Sequence, residues 1–215
     1  MKKYELTEET VTVYGKTLYR IRAVRDFGSV KTGEFGGYIE KEENLSHFGN
    51  AWVSGNAWVF DNARVYDNAW VFGNAWVFDN ARVYDDTWVY GNARVYDNAW
   101  VFGNAWVFGN ARVYDDAWVC GDAKVYGDAW VSGNAEVFNT RHFFVQGPIG
   151  SRNGFITFYR TKDNTVEVRC GCFSGSLQKF VDRVEETHGG SRYEKEYKLA
   201  AELAKVCIRL EGESR

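Results

Sequence analysis

The sequence predicts a mainly β protein built around a parallel β-helix, and three observations support this prediction. A six-residue phrase recurs fifteen times without an insertion over residues 49–138. One column of the phrase is Ala at every repeat except Thr87, and another is Val throughout. The column between them accepts Trp, Arg, Lys and Glu. A period this short and regular is typical of a solenoid, in which each repeat packs on the next.

The three columns predict which side chains lie inside. Side chains alternate along a strand, so the Ala and Val columns share one face and the variable column takes the other. A column that accepts charge must face water or a partner, because an unpaired buried charge is very costly. We therefore expect Ala and Val to line the core, and Trp and Arg to cover the outside.

The two remaining positions of the phrase predict the shape of the coil. Each repeat opens with Gly or Asp followed by Asn or Asp. These residues tolerate the left-handed backbone region, so each pair can form a sharp corner. Three strands and three corners give a triangular coil of eighteen residues, and fifteen repeats give five coils, stacked about 4.8 Å apart. Asn above Asn can then form a ladder of amide hydrogen bonds.

The phrase V-x-G-N-A-x resembles the hexapeptide repeat of single-stranded left-handed β-helices, with Val53 and its successors in the inward position. The resemblance, not the spacing, implies the left hand of the coil. The stretch IRAVRDFGSVKTGEFGGYIEKEENLS is similar to the lead-in of hexapeptide-repeat proteins from enterobacteria and bacteriophages, and GSRNGFITFYRTKDNTVEVRCGCFSGS resembles their tails. That group offers no established activity to carry over.

The repeat is flanked by segments of different character. Residues 1–48 are predicted to cap the solenoid, with a β-hairpin around Gly15 and with Ile39 and Leu45 entering a first, irregular coil. Residues 49–138 form the β-helix. Residues 139–153 are interpreted as a linker, because they hold the only proline, Pro148. Residues 154–215 are predicted to form a small α+β domain of ββαα order, with Ser176 capping its first helix.

Charge and cysteine content exclude several classes of function. The chain carries a formal charge of −3. Within residues 49–138, ten Asp and one Glu stand against four Arg and one Lys, which gives about −6 for the solenoid and +3 for the flanks. A nucleic acid polymer would be repelled by the solenoid. No apolar run suits a signal or a membrane span, and the four cysteines form no disulfide framework, so we expect a cytoplasmic protein.

Candidate catalytic and metal-binding residues are few. Many hexapeptide-repeat proteins are acyltransferases that use a histidine base and a thioester-linked acyl donor. Here His47, His142 and His188 all lie outside the repeats, and no loop interrupts the repeats. Cys170 and Cys172 are predicted to face a core, and no fourth metal ligand stands out beside His188. The sequence therefore predicts solvated or capping histidines and no catalytic residue, metal site or cofactor.

Residues eighteen apart stack into outward columns. Stacked aromatic rings and Arg on Trp can stabilise the solenoid itself. The first column is different, because four consecutive indoles make an apolar strip larger than most soluble monomers expose. We expect homo-oligomer packing through this face, as a trimer rather than a dimer, with a flat ligand such as a sugar ring or nucleobase as the alternative. The four indoles are Trp52, Trp70, Trp88 and Trp106.

A second candidate site lies in the C-terminal region, where basic and polar residues surround a predicted helix start. Guanidinium groups near a helix N-terminus can hold a phosphate or another anion. A solvated polar face is the alternative interpretation. The residues are Ser151, Arg152, Asn153, Arg160, Lys162, Arg169 and Ser176.

These observations favour a non-catalytic binding or scaffold protein of phage or prophage origin. We expect it to be oligomeric and to recognise a host protein or a small anionic, nucleotide-like ligand through its terminal domains. One alternative is a hexapeptide-repeat acyltransferase. Another is a counter-defence decoy that sequesters a host defence protein or a nucleotide signal.

Overall fold

The computed structural model describes residues 2–210. The fifteen repeats form fifteen two-residue strands in which Val is always the second residue. These strands are β4 (Trp52–Val53), β5 (Trp58–Val59), β6 (Arg64–Val65), β7 (Trp70–Val71), β8 (Trp76–Val77), β9 (Arg82–Val83), β10 (Trp88–Val89), β11 (Arg94–Val95), β12 (Trp100–Val101), β13 (Trp106–Val107), β14 (Arg112–Val113), β15 (Trp118–Val119), β16 (Lys124–Val125), β17 (Trp130–Val131) and β18 (Glu136–Val137). Three strands, β1 to β3, precede the repeats.

The strands stack with the predicted period. Each pairs in parallel with the strand eighteen residues away, as Trp70 does with Trp88 and Trp88 with Trp106. This pairing builds three parallel faces, and the Val side chains of all three are at most 1% exposed. The triangular coil and its Ala/Val core are therefore confirmed. The left hand of the coil stays a prediction of the resemblance.

The corners of the coil follow the predicted chemistry. The first residue of each corner takes a positive φ, for example 59° at Asp61 and 73° at Gly73. The Asn side chains of the first four coils then stack, each donating its amide to the residue eighteen positions further on. One such ladder runs through Asn56, Asn74, Asn92, Asn110 and Asp128 with N···O distances of 2.9–3.4 Å. The amide ladder is confirmed.

The N-terminal segment covers one end of the solenoid. Strands β1 (Tyr4–Val13) and β2 (Lys16–Ala23) form the predicted antiparallel hairpin, and β3 (Phe35–Ile39) pairs in parallel with β5. Leu45 forms a bridge to Val65 and is fully buried, as Ile39 is. Together β3 and this bridge add an irregular turn to the five regular ones, so the solenoid has about six turns.

The C-terminal domain has more strands than the sequence suggested. Its antiparallel sheet runs in the order β19 (Phe143–Ile149), β20 (Gly154–Arg160), β21 (Val166–Cys170) and β22 (Phe173–Ser176). Strand β19 lies within the segment interpreted as a linker, so that interpretation is wrong for residues 143–149. Pro148 is accommodated because β19 is an edge strand, where a missing backbone donor costs little.

Two helices complete this domain. Helix α1 (Leu177–His188) is capped by Ser176, which accepts a hydrogen bond from the Lys179 amide, and helix α2 (Arg192–Cys207) follows. The predicted cap at Ser176 is therefore confirmed. Residues 211–215, which the sequence assigned to this domain, lie outside the described residues. Within residues 2–210, no helix combines the length and apolar character needed to cross a membrane.

The C-terminal sheet covers the other end of the solenoid. A bridge joins Ala135 to Thr161, and the Lys162 amide donates to the Asn134 carbonyl at 3.0 Å. Both contacts link the last repeat of the solenoid to the end of β20 and the turn after it. The two terminal segments therefore cap opposite ends of one continuous core.

Candidate functional site

The predicted tryptophan face is only partly exposed, and the expectation for Trp52 is wrong. Trp52 is 0% exposed. The N-terminal segment folds over the first coil, so Phe27 and Tyr4 pack edge-on against its indole at centroid distances of 5.3 and 6.4 Å. The first tryptophan of the column therefore belongs to the core of the N-terminal cap.

The other three indoles of this column lie on the outer surface. Trp88 is 42% exposed, whereas Trp70 and Trp106 are half-buried. Trp88 stacks on Trp106 at 5.1 Å, and the Lys124 ammonium lies 4.6 Å from the Trp106 ring. Stacking within the column therefore uses much of the apolar surface, and Trp88 is the most accessible member.

Three residues of the predicted anion site form structural contacts instead. Arg160 is 2% exposed, because its guanidinium pairs with the Glu136 carboxylate of the last repeat at 2.7 Å. The Lys162 ammonium lies 4.4 Å from the Trp118 ring, and the Ser176 hydroxyl caps α1. Docking of the sheet on the solenoid separates these groups from the other predicted residues, so a single site containing all seven is not formed.

Three of the remaining residues do surround a cavity. Ser151, Arg152 and Arg169 line a cleft of about 670 Å³ between the C-terminal domain and the last two coils of the solenoid. Asn153 lies in the adjoining turn, with a φ of 47°. We call this cavity the C-terminal cleft. Sequence reasoning found part of its wall but not the cavity, because its other residues come from distant segments: the repeats, the C-terminal sheet and both helices.

The C-terminal cleft is rich in positive charge. Arg112 from β14 and Arg183 from α1 join Arg152 and Arg169, so among residues 2–210 four guanidiniums and a single carboxylate, that of Asp128, line the cleft. Asp128 also accepts a hydrogen bond from Asn110 at 2.9 Å.

The guanidiniums of the cleft are poorly neutralised. Within residues 2–210, Arg112, Arg152 and Arg169 make no ion pair, whereas Arg183 pairs with exposed Glu186 at 2.9 Å. Buried Nε of Arg169 has no hydrogen-bond partner in the same range. The cleft therefore has unneutralised cationic groups that can accept an anion.

Aromatic rings form the rest of the wall. Phe173, Phe180 and Tyr197 contact one another in sequence at centroid distances of 5.5 and 5.8 Å. Nearer the solenoid, the Arg112 guanidinium lies 4.7 Å from the Trp130 ring, and Phe155 is 42% exposed. The cleft thus combines cationic groups with flat apolar surfaces.

A glycine fixes the turn that carries Ser151 and Arg152. Gly150 has a φ of 72°, and a Cβ at this position would overlap the Tyr197 hydroxyl. Its amide donates to the Glu196 carboxylate at 2.7 Å, which ties the turn to α2. Because the turn packs so closely on α2, Arg152 is held near the phenol of Tyr197.

Only one of the two cysteines of the cleft, Cys170, is partly buried, whereas the sequence predicted that both face a core. Cys170 is half-buried at the end of β21, and burial raises the pKa of its thiol. A protonated thiol is a poor nucleophile. Cys172 is exposed, contrary to expectation, because the strand ends at Cys170 and Cys172 lies in the following turn. Within residues 2–210, no group of three or more potential ligands is placed to hold a metal ion.

Two of the three histidines are cap residues. In the C-terminal cap, His142 is 4% exposed, its ring lies 3.9 Å from that of Phe138, and burial lowers its pKa to about 4. In the N-terminal cap, His47 stacks on Tyr4 at 4.2 Å. His188 alone lines the C-terminal cleft.

Comparison with known families supports the solenoid. The family model described as the YdcK beta solenoid repeat matches residues 63–78, 75–91, 89–103, 93–108 and 105–121. These matches lie within the repeats and end before the C-terminal domain. A search of curated proteins found no match. The family resemblance therefore supports a repeat β-helix and does not extend to most of the C-terminal cleft.

Proposed function

We propose that this protein is a non-catalytic binding protein that holds a small anionic ligand in the C-terminal cleft. The observation that supports this most strongly is the set of Arg112, Arg152 and Arg169, which line one cavity and pair with no carboxylate within residues 2–210. Like charges held close together repel one another, most strongly where water is scarce. A bound anion relieves this repulsion and gains charge-assisted hydrogen bonds, which guanidiniums can make in pairs.

The surroundings of the cleft strengthen this proposal. The chain as a whole has a net charge of −3, yet the charged residues that line the cleft are mostly arginines, so the local net charge is positive. Such a local reversal concentrates anions from solution at the cleft. The volume of about 670 Å³ falls within the range of small-molecule sites, about 300–1,000 Å³.

Calorimetric titration with inorganic pyrophosphate at low ionic strength tests the proposal. We expect the unmodified protein to bind and Arg152→Glu to weaken binding at least about tenfold, because a charge-assisted contact becomes repulsive. Arg141→Glu is the matched control, since Arg141 is exposed and does not line the cleft. Absence of binding by the unmodified protein, or an equal loss in both variants, would contradict the proposal.

We further propose that the protein is a cytoplasmic scaffold of phage or prophage origin that forms oligomers, preferably trimers, through Trp70, Trp88 and Trp106. The exposed Trp88 indole supports the interface, and the resemblance supports the origin and the trimer. Light scattering tests the interface. Trp88→Lys is expected to reduce the particle mass, whereas Trp100→Lys, on another face of the solenoid, leaves it unchanged. An unchanged mass for Trp88→Lys, with its β-type circular dichroism intact, would rule out this face.

A further inference from the structure

We infer that the ligand of the C-terminal cleft is a nucleotide, a phosphate ester that carries a flat nitrogenous base. This inference rests on the proposed function, because it assumes that the cleft binds an anion. In addition to the anion, we assign a second contact: the aromatic side chains of the cleft wall bind the base of the same ligand.

Phe155 is the first observation behind this inference. In β20, Gly154 and Phe155 are exposed, whereas the five residues that follow are buried. One side of the Phe155 ring rests on Gly147, where a Cβ would overlap the ring. One face of the ring therefore packs against the backbone. Phe155 nevertheless stays 42% exposed in a cavity lined by guanidiniums. A bare inorganic anion gains nothing from such a surface.

Trp130 and Arg112 provide a second flat surface in the cleft. The Arg112 guanidinium lies 4.7 Å from the Trp130 ring, and both residues are half-buried. The Trp130 amide donates to the Thr157 hydroxyl at 3.0 Å, which fixes the strand that carries the indole against the C-terminal sheet. Bases stack on aromatic rings and on guanidinium planes, and this stacking tolerates any base because every base has a π-face.

The position of the charges favours a free nucleotide over a strand of nucleic acid. Four guanidiniums line the cleft, whereas the solenoid as a whole, Arg112 included, carries about −6 over residues 49–138. Phosphates of a longer chain that left the cleft along the solenoid would meet Asp carboxylates at its corners. Electrostatic repulsion therefore limits favourable contacts to the phosphates inside the cavity.

Titration with probes that separate charge from ring tests the inference. The probes are pyrophosphate, the four common ribonucleoside diphosphates, adenosine, octyl phosphate and an oligothymidylate of twelve nucleotides. We expect at least one diphosphate to bind about tenfold or more tightly than pyrophosphate, adenosine, octyl phosphate and the oligonucleotide, because stacking adds to charge.

Phe155→Ala tests whether the Phe155 ring stacks on the base of the nucleotide. It should reduce the affinity for that nucleotide about tenfold and leave pyrophosphate binding unchanged. Phe48→Ala is the matched control, because Phe48 is 81% exposed at the opposite end of the molecule.

The possible outcomes separate this inference from the proposed function. If pyrophosphate binds in an Arg152-dependent manner and no nucleotide binds better, the inference fails and the proposed function stands. Tighter binding of octyl phosphate or of the oligonucleotide also overturns the inference, as does nucleotide binding that is indifferent to Phe155→Ala. If none of the anions binds, both the inference and the proposed function are contradicted.

Discussion

The two ends of the solenoid face the same physical problem and solve it differently. Each end exposes the apolar Ala/Val core and a set of unpaired strand edges, which must be covered. At the N-terminal end, the cover is tight: Trp52 is fully buried and the Lys3 ammonium donates to the Ala51 carbonyl at 2.6 Å. At the C-terminal end, Arg160 is likewise buried and pairs with the Glu136 carboxylate, but a cleft remains between the C-terminal domain and the last two coils.

This difference separates capping from binding. A cap requires that apolar surface and backbone groups be satisfied, and the buried Lys3 and Arg160 both serve that purpose. The guanidiniums of Arg112 and Arg169 lie 4.7 and 5.4 Å from the rings of Trp130 and Tyr114, but no carboxylate within residues 2–210 pairs with them or with Arg152. Guanidiniums that lie close together in one cavity without carboxylate partners in this range are the best candidates for function.

The largest effect that can test this comparison is expected at the N-terminal end. Trp52→Ala removes a fully buried indole and leaves a cavity, which should lower the free energy of unfolding by about 3–5 kcal/mol. Trp88→Ala, in the same column of repeats but 42% exposed, should cost only about 1 kcal/mol of stacking. Urea unfolding followed by circular dichroism measures both. Similar losses in the two variants would show that the N-terminal end is not sealed as described.

A pH dependence is expected at the C-terminal end. Burial holds the pKa of His142 at about 4, below its usual value of 6.5, so between these values the unfolded chain binds a proton that the folded chain does not. Stability contributed by neutral His142 is therefore present above pH 6.5 and is lost as the pH falls to 4, by up to about 3 kcal/mol.

His142→Gln isolates this contribution from the carboxylates that titrate in the same range. The variant should lose less stability than the unmodified protein between pH 6.5 and pH 4, as measured by urea unfolding at each pH. Parallel stability curves for the two proteins would show that His142 is not buried in its neutral form.

The smallest of the three effects distinguishes the two kinds of arginine at the C-terminal end. Arg160→Gln leaves Glu136 without its buried partner, and because 27% of the Glu136 side chain is exposed, the loss of stability should be about 2 kcal/mol, below that for a fully buried pair. Arg183→Gln breaks an exposed ion pair and should cost about 0–1 kcal/mol.

Pyrophosphate titration of the same two variants completes this test. Arg183→Gln should weaken pyrophosphate binding and Arg160→Gln should not. The reverse assignment of stability and binding would contradict the separation of capping from ligand binding.

Much of the fold could be predicted because the residue types of the repeat determine the geometry of the coil. The Val column, the Asn ladder and the corner residues each have one physical explanation, and all three agree on an eighteen-residue coil. The caps were also predictable as caps, since an open solenoid end is costly. Ser176 was recognisable as a helix cap from its local sequence alone.

The candidate site was less predictable because it depends on contacts between distant segments. In the sequence, Arg160 has no evident partner and could bind an anion. The docked sheet places it beside Glu136 of the last repeat, with which it forms an ion pair. Trp52 looked like Trp88, because nothing inside the repeat shows that the N-terminal segment folds over the first coil. Arg112 could not be distinguished from Arg82 and Arg94, whose guanidiniums also lie over tryptophan rings but do not line the cleft.

Arginine footprinting with a dicarbonyl reagent, read by mass spectrometry with and without pyrophosphate, tests the central claim most directly. We predict that Arg152 and Arg183 react readily in the free protein and are protected by pyrophosphate, that exposed Arg141 reacts equally in both conditions, and that buried Arg160 reacts in neither. Protection of Arg141 to the same extent as Arg152, or no protection at any position, would contradict the claim that the C-terminal cleft is an anion-binding site.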